Sequence, residues 1–199
     1  MCDYAATVNA VIEKENIEKI FLIGHSMGGY IAMAFAENHS EKLSALCLFH
    51  SHPFADSEET KQARASLINE IKTSGKEKLC KEHPPKVFAE NNVENFKNEI
   101  KNMQNKALKM TEKAIISSIS AMKGRKDRAD ILARCKVPFL YIIGVKDNFI
   151  PLSILDKIKM PKNHTTVVME NSGHMSMIEE VDEITNILSN FVHTKIAEY

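Results

Sequence analysis

The sequence of 199 residues lacks tryptophan, has only four cysteines and carries no excess charge of either sign. Lysine plus arginine and aspartate plus glutamate each number 26, so the composition does not indicate a general binder of nucleic acid or anionic membranes. The cysteines are Cys2, Cys47, Cys80 and Cys135. They lack the C-x-x-C spacing of zinc and redox sites, so we expect reduced thiols in a cytoplasmic protein.

Long apolar runs are also absent from the sequence. No run approaches the ~20 apolar residues that a membrane-spanning helix needs, so we expect no membrane span. The first residues, MCDYAATVNAV, lack the basic and apolar regions of a signal peptide. With 44% hydrophobic residues the chain can bury a core, and we expect one domain that carries an insertion.

Short apolar segments alternate with stretches of helical periodicity. The near-continuous apolar run LSALCLFHS is typical of a strand that is covered on both faces. An opening helix is predicted to end near Asn16, and a helix over 28–39 has small residues that allow close packing on a sheet. The predicted strands cover residues 19–24, 43–51, 139–143 and 165–169. This alternation predicts an α/β fold with a doubly wound, mostly parallel sheet of about four strands.

The middle of the chain, residues 56–128, differs in composition from the segments on either side. Lysine and glutamate dominate there, and apolar residues recur at helical intervals without any strand pattern. We therefore predict a helical lid inserted into a core that is formed by residues 1–55 and 129–199.

A G-x-S-x-G pattern, Gly24-His25-Ser26-Met27-Gly28, lies between the first predicted strand and the following helix. In that setting the serine occupies a strained strand-to-helix turn and projects its hydroxyl away from the sheet. Side chains at the two flanking glycines are expected to collide with neighbouring backbone. The Met27 N–H, at the start of the helix, can point at an oxyanion. A plain connecting turn is the alternative, whereas a phosphate loop lacks its G-K-[ST] signature.

Two polar residues, Asp147 and His174, follow the third and fourth predicted strands. Because the carboxyl ends of parallel strands meet at one edge of the sheet, both side chains can approach Ser26 there. A serine hydroxyl needs a histidine base and a carboxylate that orients the base, and the chain order Ser, Asp, His provides both. Asp127 and Asp130 are rival carboxylates, but they precede a strand instead of following one.

Three further histidines, His25, His50 and His52, are expected to have structural and not catalytic roles. His25 is expected to pack and hydrogen-bond at the serine turn. His50 and His52 form an H-x-H pair beyond a strand. No third ligand is evident in the sequence, so we expect these two to line a pocket or the surface, and we predict no metal site.

At these residues the chain resembles the α/β-hydrolase superfamily of serine esterases and lipases, over Asp3–Val192. The segments GHSMGG, GVKDNFIP and SGHMSMIEEVDEI are similar to its nucleophile, acid and histidine motifs. The resemblance implies Ser26 as nucleophile, Asp147 as acid and His174 as base, with the Met27 amide as one oxyanion donor. It also implies that the helical insertion is a lid and that no cofactor is needed.

The resemblance further implies about four strands and an H-G oxyanion loop ahead of the opening helix, and nothing in this chain matches them. Met1 is therefore expected to correspond to an internal position of such a hydrolase. The nucleophile strand, Lys19–Gly24, would then form a sheet edge that invites pairing with another chain. We expect a homodimer through that edge or an association with the missing N-terminal segment.

Two classes of function follow from these observations. The first is a serine hydrolase that cleaves small carboxylic esters through an acyl-enzyme. The second is a truncated, catalytically weak or inert form that acts as an oligomerising or interaction module. Acyl transfer or cofactor-free haloperoxidase-like chemistry at the same site is a further alternative, because a fold does not determine the reaction.

Overall fold

The computed structural model describes residues 1–196, which contain four strands and the helices around them. The strands are β1 (Ile20–His25), β2 (Leu43–Phe49), β3 (Phe139–Gly144) and β4 (His164–Met169). The helices before β3 are α1 (Cys2–Lys14), α2 (Met27–Asn38), α3 (Glu58–Ser74), α4 (Glu77–Lys86), α5 (Lys97–Lys109), α6 (Glu112–Lys123) and α7 (Ala129–Ala133). After β4 come α8 (Ser176–Glu179) and α9 (Val181–Phe191), followed by a π-helical turn, Val192–Ile196.

The four strands form one sheet in the order β1-β2-β3-β4, and every neighbouring pair is parallel. The predicted four-stranded parallel sheet is thus confirmed. Its register pairs His25 with Phe49 and Phe49 with Ile142, while Gly144 pairs with Met169. The carboxyl ends of the strands are therefore level with one another, and the loops that follow them meet at one edge.

Both faces of the sheet are covered, which explains the uninterrupted apolar run of β2. Alternate strand residues on one face pack against α1 and α2, and those on the other face pack against α9. Residues of the first face include Leu46, Leu48, Phe139, Tyr141 and Ile143, and those of the second include Cys47, Phe49, Leu140, Ile142 and Met169. The small residues of α2, such as Ala32 and Ala34, are fully buried and allow that helix to lie close to the sheet.

The segment between β2 and β3 is helical, and between residues 58 and 123 it contains no strand. The side chains of Ser57 and Thr111 cap α3 and α6, because each accepts a hydrogen bond from a backbone N–H of the first turn. The helices of this segment also have an apolar cluster of their own. It is centred on Ile71, Cys80, Ile115 and Ile119.

A buried ion-pair cluster joins this helical segment to α2. The two carboxylate oxygens of Asp56 lie 2.6 Å from Arg64 Nε and 2.6 Å from Arg125 Nη1. The Arg125 guanidinium also stacks over the Tyr30 ring, 3.9 Å from its centroid. Charges this deeply buried need such pairing, so the cluster holds both ends of the helical segment against the sheet.

The boundaries differ in detail from the predictions. The segment after Pro151 forms a 3₁₀ helix, Leu152–Lys157, and the second strand ends at Phe49, two residues before the predicted end. His50 lies just beyond β2 in a left-handed conformation, with φ of 48°. Within residues 1–196 no helix combines the length and the apolar character that crossing a membrane requires.

Candidate functional site

Ser26 occupies the junction between β1 and α2, with φ of 51° and ψ of −119°. This conformation is strained for a residue other than glycine, and it persists because neighbours hold it. The Ser26 N–H donates to the Phe49 carbonyl over 2.9 Å, and Ser51 Oγ donates to the Ser26 carbonyl over 2.8 Å. The end of β2 therefore fixes the backbone of the sequence-predicted nucleophile.

Of the two glycines that flank Ser26 in the G-x-S-x-G pattern, only Gly24 occupies a crowded position. A Cβ atom at Gly24 would lie 2.5 Å from the Gly28 carbonyl oxygen, whereas a Cβ at Gly28 would meet nothing within 4 Å. The prediction of a collision is thus correct for Gly24 and wrong for Gly28. The crowded position after the serine is Gly29, where a Cβ would lie 2.2 Å from Ser51 Oγ. Gly29 must be small because α2 crosses the end of β2 there.

Alanine substitutions at Gly24 and Gly28 are expected to have opposite outcomes. Gly24→Ala should lower the free energy of unfolding by about 1–3 kcal/mol, because backbone atoms cannot move aside for the new methyl group. Gly28→Ala adds a better helix former in open space and should be neutral, or stabilise by at most about 1 kcal/mol. Urea unfolding of the two variants beside the parent chain measures both effects. Equal destabilisation by both substitutions would contradict the packing described here.

Met27 is the first residue of α2, so its N–H has no acceptor within the helix. The helix has twelve residues, and its aligned peptide dipoles place partial positive charge at this end. The Met27 N–H is therefore available to donate a hydrogen bond to an anion beside Ser26, as the sequence predicts for an oxyanion.

Asp147 and His174, which the sequence predicts as acid and base, are hydrogen-bonded to each other. His174 Nδ1 lies 2.8 Å from Asp147 Oδ2, and both side chains are almost completely buried. The other oxygen, Oδ1, accepts from the backbone N–H groups of Phe149 and Ile150 over 2.8 and 3.0 Å. The carboxylate is therefore held by the turn after β3 and points at the His174 ring.

The same contacts keep Asp147 ionised. Burial acts to raise the pKa of this carboxyl group, but hydrogen bonds from His174 and His50, together with the Phe149 N–H, outweigh it. The net result is a pKa far below the ordinary value for aspartate. An ionised carboxylate accepts hydrogen bonds only, so His174 Nδ1 carries the shared proton and Nε2 is left as the basic nitrogen.

His174 also contacts the residue that precedes Ser26. His25 Nε2 lies 2.8 Å from the His174 carbonyl oxygen, and the centroids of the two rings are 5.0 Å apart. Burial lowers the pKa of His25 to about 4, so its neutral ring donates the Nε2 proton to that carbonyl. Among the residues described, no hydrogen bond joins Ser26 Oγ to His174. The structure thus places His174 beside the serine turn without a direct bond to its hydroxyl.

His50, expected at a pocket wall or on the surface, is fully buried beside Asp147. Its Nδ1 lies 3.1 Å from Asp147 Oδ2, and its Nε2 lies 2.5 Å from Ser176 Oγ. The sequence does contain a signal for this position. His50 follows β2 directly, just as Asp147 follows β3 and His174 follows β4, so all three belong to the same sheet edge.

His52, the other member of the H-x-H pair, points elsewhere. Its Nε2 lies 3.4 Å from the Tyr30 hydroxyl, and its Nδ1 accepts from the Phe54 N–H. The three groups that do converge are His50, Asp147 and His174, whose ligand atoms lie within 4.8 Å of one another. Both imidazoles place Nδ1 against the same carboxylate oxygen, so hydrogen bonds account for this convergence.

The rival carboxylates lie away from this cluster. Asp127 Oδ1 accepts from the Ala129 N–H at the start of α7, and Oδ2 accepts from the Ala55 N–H. Asp130 is exposed within α7. Asp127 therefore binds backbone N–H groups at the turn ahead of α7, which is a common structural role for aspartate.

One carboxylate, that of Glu179, joins the His174 loop to the segment after α4. Its Oε1 accepts from the Gly173 and Met175 N–H groups on either side of His174. Its Oε2 accepts from the Ala89 N–H and from Asn92 Nδ2 over 2.9 Å each. Glu179 thereby fixes the backbone on both sides of the imidazole, which the sequence alone did not indicate.

Phe149 forms an exposed aromatic surface next to the cluster. The residue is 42% exposed, and its ring lies 5.4 Å from the His174 ring, centroid to centroid. On its other side it lies 5.2 Å from the ring of His83 in α4. The helical segment between β2 and β3 therefore contacts the edge of the sheet at the candidate site.

Two similar known proteins are named as a lipase and as an AB hydrolase superfamily protein. Lipase 1 of Psychrobacter immobilis is 27% identical over 177 residues, covering 80% of this chain and 51% of the relative. The AB hydrolase superfamily protein YisY of Bacillus subtilis is 28% identical over 201 residues, covering 94% and 71%. The chain thus spans about half the length of the first relative and about 70% of the second.

Among solved structures, a thermophilic esterase from Thermogutta terrifontis superposes with a TM-score of 0.88 at 24% identity, covering 95% of this chain and 70% of the esterase. That similarity establishes the fold, and the sequence pattern of the Ndr family matches residues 1–194. The chain therefore belongs to the Ndr family and has the α/β-hydrolase fold.

Proposed function

We propose that the protein is a serine hydrolase that cleaves carboxylic esters, with Ser26 as nucleophile, His174 as base and Asp147 as the carboxylate that orients His174. The observation that carries the proposal is the buried 2.8 Å hydrogen bond between Asp147 and His174, beside a strained serine turn. Relatives named as a lipase and as a hydrolase support the same reaction class.

In this mechanism His174 Nε2 accepts the Ser26 hydroxyl proton while Ser26 Oγ attacks the ester carbonyl. The Met27 N–H donates to the developing oxyanion. The tetrahedral intermediate expels the alcohol, which takes the proton from His174, and leaves an acyl-enzyme. Water then attacks the acyl group with His174 again as base, releasing the acid and restoring Ser26. The charge of Asp147 stabilises the transient imidazolium.

The proposal requires Ser26 Oγ to approach His174 Nε2 when substrate binds. Hydrogen bonds between catalytic groups commonly tighten only in the substrate complex. We further propose that residues 56–128 act as a lid, because His83 of α4 packs on Phe149, which in turn packs on the His174 imidazole. An apolar acyl or alcohol group would pack against the exposed Phe149 ring.

Labelling with a fluorophosphonate probe tests the nucleophile. Phosphonylation should occur at Ser26, should show as a mass increase on the peptide that contains it, and should be suppressed by a small ester substrate. Hydrolysis of p-nitrophenyl acetate should proceed with an initial burst as the acyl-enzyme accumulates. A folded protein that shows neither labelling nor turnover would contradict the esterase proposal and favour the non-catalytic alternative.

A second candidate role is self-association through β1, with a second copy of the chain as the partner. Strand β1 pairs only with β2 within residues 1–196, so one side of its backbone has no strand partner. Ile23 on this strand is 41% exposed, and the formal net charge of the chain is zero, so two copies would not repel each other. Two-fold symmetry would pair the two β1 strands antiparallel.

Sedimentation velocity over a range of protein concentrations tests this association. We expect the parent chain to form a dimer and Ile23→Lys to shift it to monomer, since an edge lysine opposes strand pairing. Val181→Lys, which changes a comparably exposed apolar residue on α9, is the matched control and should leave the dimer intact. A monomeric parent chain would rule the β1 interface out.

We also propose a reducing, cytoplasmic compartment. All four cysteines are free thiols, and Cys47 and Cys80 are buried. Burial raises the pKa of the Cys47 thiol, which keeps it protonated and unreactive.

A further inference from the structure

The buried histidine His50 makes two contacts that the proposed mechanism does not use. Its side chain has no exposed surface, and its ring lies between Asp147 Oδ2 at 3.1 Å and Ser176 Oγ at 2.5 Å. Ser176 is also fully buried, so its hydroxyl cannot act on a substrate. Ser176, His50 and Asp147 therefore form a second hydrogen-bonded chain that ends at the same carboxylate oxygen as His174.

The chemistry of the three groups determines which one donates and which one accepts in each of these two hydrogen bonds. Ionised Asp147 can only accept, so His50 Nδ1 must donate to it. Burial lowers the pKa of His50, which makes the neutral ring the stable form. A neutral ring protonated at Nδ1 has an acceptor at Nε2, and the Ser176 hydroxyl donates to that atom. The contacts thus specify a single tautomer of His50.

The charged and titratable groups around His50 agree with this assignment. Burial, together with His174, lowers the pKa of His50 and outweighs Asp147 and Glu179, which favour a protonated ring. His25, at the end of β1, lies with its ring centroid 5.9 Å from that of His50. Its own neutral ring already donates to the His174 carbonyl, so it supplies no charge to His50.

The backbone and the neighbours of His50 together position its ring beside Asp147. The residue adopts φ of 48°, a left-handed conformation that is uncommon outside glycine and asparagine. Its ring stacks on Phe49 at 4.9 Å, and a Cβ at Gly144 would lie 3.1 Å from its Cε1 atom. The left-handed backbone of His50, the stacking on Phe49 and the close contact with Gly144 together orient the ring so that Nδ1 faces Asp147.

From this geometry we infer that His50 is a positioning residue, which holds Asp147 Oδ2 in line with His174 while the Ser176 hydroxyl donates to His50 Nε2 and holds its ring. The inference rests on the proposed hydrolase function. Each oxygen of Asp147 accepts two hydrogen bonds, and on Oδ2 they come from His50 and His174. His50 also takes a share of the carboxylate charge, which would otherwise act on His174 alone.

Three substitutions separate positioning from simple space filling. His50→Leu removes the donor to Asp147. His50→Asn keeps an N–H donor close to the place of Nδ1 and tolerates the left-handed backbone. Ser176→Ala leaves the imidazole and its backbone unchanged and removes only the hydroxyl that holds His50 Nε2, so it reports on the inference even where His50→Leu folds poorly.

The expected kinetic result is specific to positioning. His50→Leu should lower kcat for p-nitrophenyl acetate by roughly 10- to 100-fold with little change in KM, because a displaced carboxylate misaligns the base. The midpoint of the rising limb of the kcat/KM pH profile should move upward, since Asp147 then interacts more strongly with protonated His174. His50→Asn should restore both quantities, and Ser176→Ala should shift them in the same direction by a smaller amount.

Nitrogen NMR of the histidine rings tests the inference without any turnover. In the parent chain His50 should be neutral at pH 7 with its proton on Nδ1, and the His174 Nδ1 proton should give a low-field signal. That signal should survive in His50→Asn and broaden or shift in His50→Leu. A His50 proton on Nε2, or a His50→Leu variant with an unchanged pH profile and signal, would overturn the inference. Absent turnover with the expected NMR pattern would contradict the esterase proposal alone.

Discussion

Replacing Ser26 with alanine is expected to lower kcat for p-nitrophenyl acetate by about 10⁶-fold and to abolish fluorophosphonate labelling. The variant keeps the Met27 N–H and the Asp147–His174 pair but has no atom that can form the acyl-enzyme. The alanine side chain is smaller than serine and has the same Cβ atom, so the strained backbone at this turn should be retained. Steady-state kinetics and intact mass after labelling measure the two effects.

Ser172→Ala is the matched control for that substitution. Ser172 lies in the loop that carries His174, is fully buried, and its hydroxyl has no hydrogen-bond partner among the residues described. Its removal should change kcat by no more than a few-fold. If Ser26→Ala retained more than a hundredth of the parent activity, another group would have to be the nucleophile and the esterase mechanism proposed here would be wrong.

Asp147→Asn is expected to lower kcat by about 10⁴-fold while leaving KM within a few-fold of the parent value. The amide NH₂ group that replaces Oδ1 or Oδ2 donates instead of accepting. Where it faces His174, Nδ1 must become an acceptor and Nε2 must carry the proton, so the imidazole cannot accept the Ser26 proton. The Phe149 and Ile150 N–H groups need an acceptor at the Oδ1 position, so they keep the amide oxygen there and turn the NH₂ group toward both histidine rings.

Asp127→Asn provides the comparison, because it neutralises a carboxylate of the same type outside the site. Asp127 accepts from the Ala129 and Ala55 N–H groups and contacts neither His50 nor His174, so its substitution should change kcat by less than about three-fold and affect mainly stability. A loss of activity in Asp127→Asn as large as that in Asp147→Asn would show that Asp147 has no special role in orienting the base.

Asp147 also makes the stability of the protein depend on acidity. Its pKa is lower in the folded chain than in the unfolded chain, so the unfolded state takes up protons first as the pH falls. The stabilisation by its ionised form is complete above the ordinary aspartate pKa of about 4 and is lost as the pH drops below it. Urea unfolding between pH 5 and pH 3 should therefore show a shallower loss of stability in Asp147→Asn than in the parent chain.

Much of the fold could be predicted from the order of apolar and polar residues. The β2 run, the strand-to-helix step around Ser26 and the helical periodicity after β2 are local patterns, and each reflects which faces of an element are buried. The positions of Asp147 and His174 after their strands were predictable for the same reason. A parallel sheet aligns the carboxyl ends of its strands, so residues at equivalent positions come together whatever their separation along the chain.

The sequence by itself therefore determined the four parallel strands, the serine turn and the pairing of Asp147 with His174, because these depend on periodicity and on the geometry of parallel sheets. The tertiary structure alone decided which glycine is crowded, that His50 shares the Asp147 carboxylate and that Glu179 joins the loops on either side of His174. Those contacts depend on the spacing of elements far apart in the chain, and a change of a few tenths of an ångström in that spacing makes or breaks them. Local sequence patterns specify which face is buried and do not specify such distances.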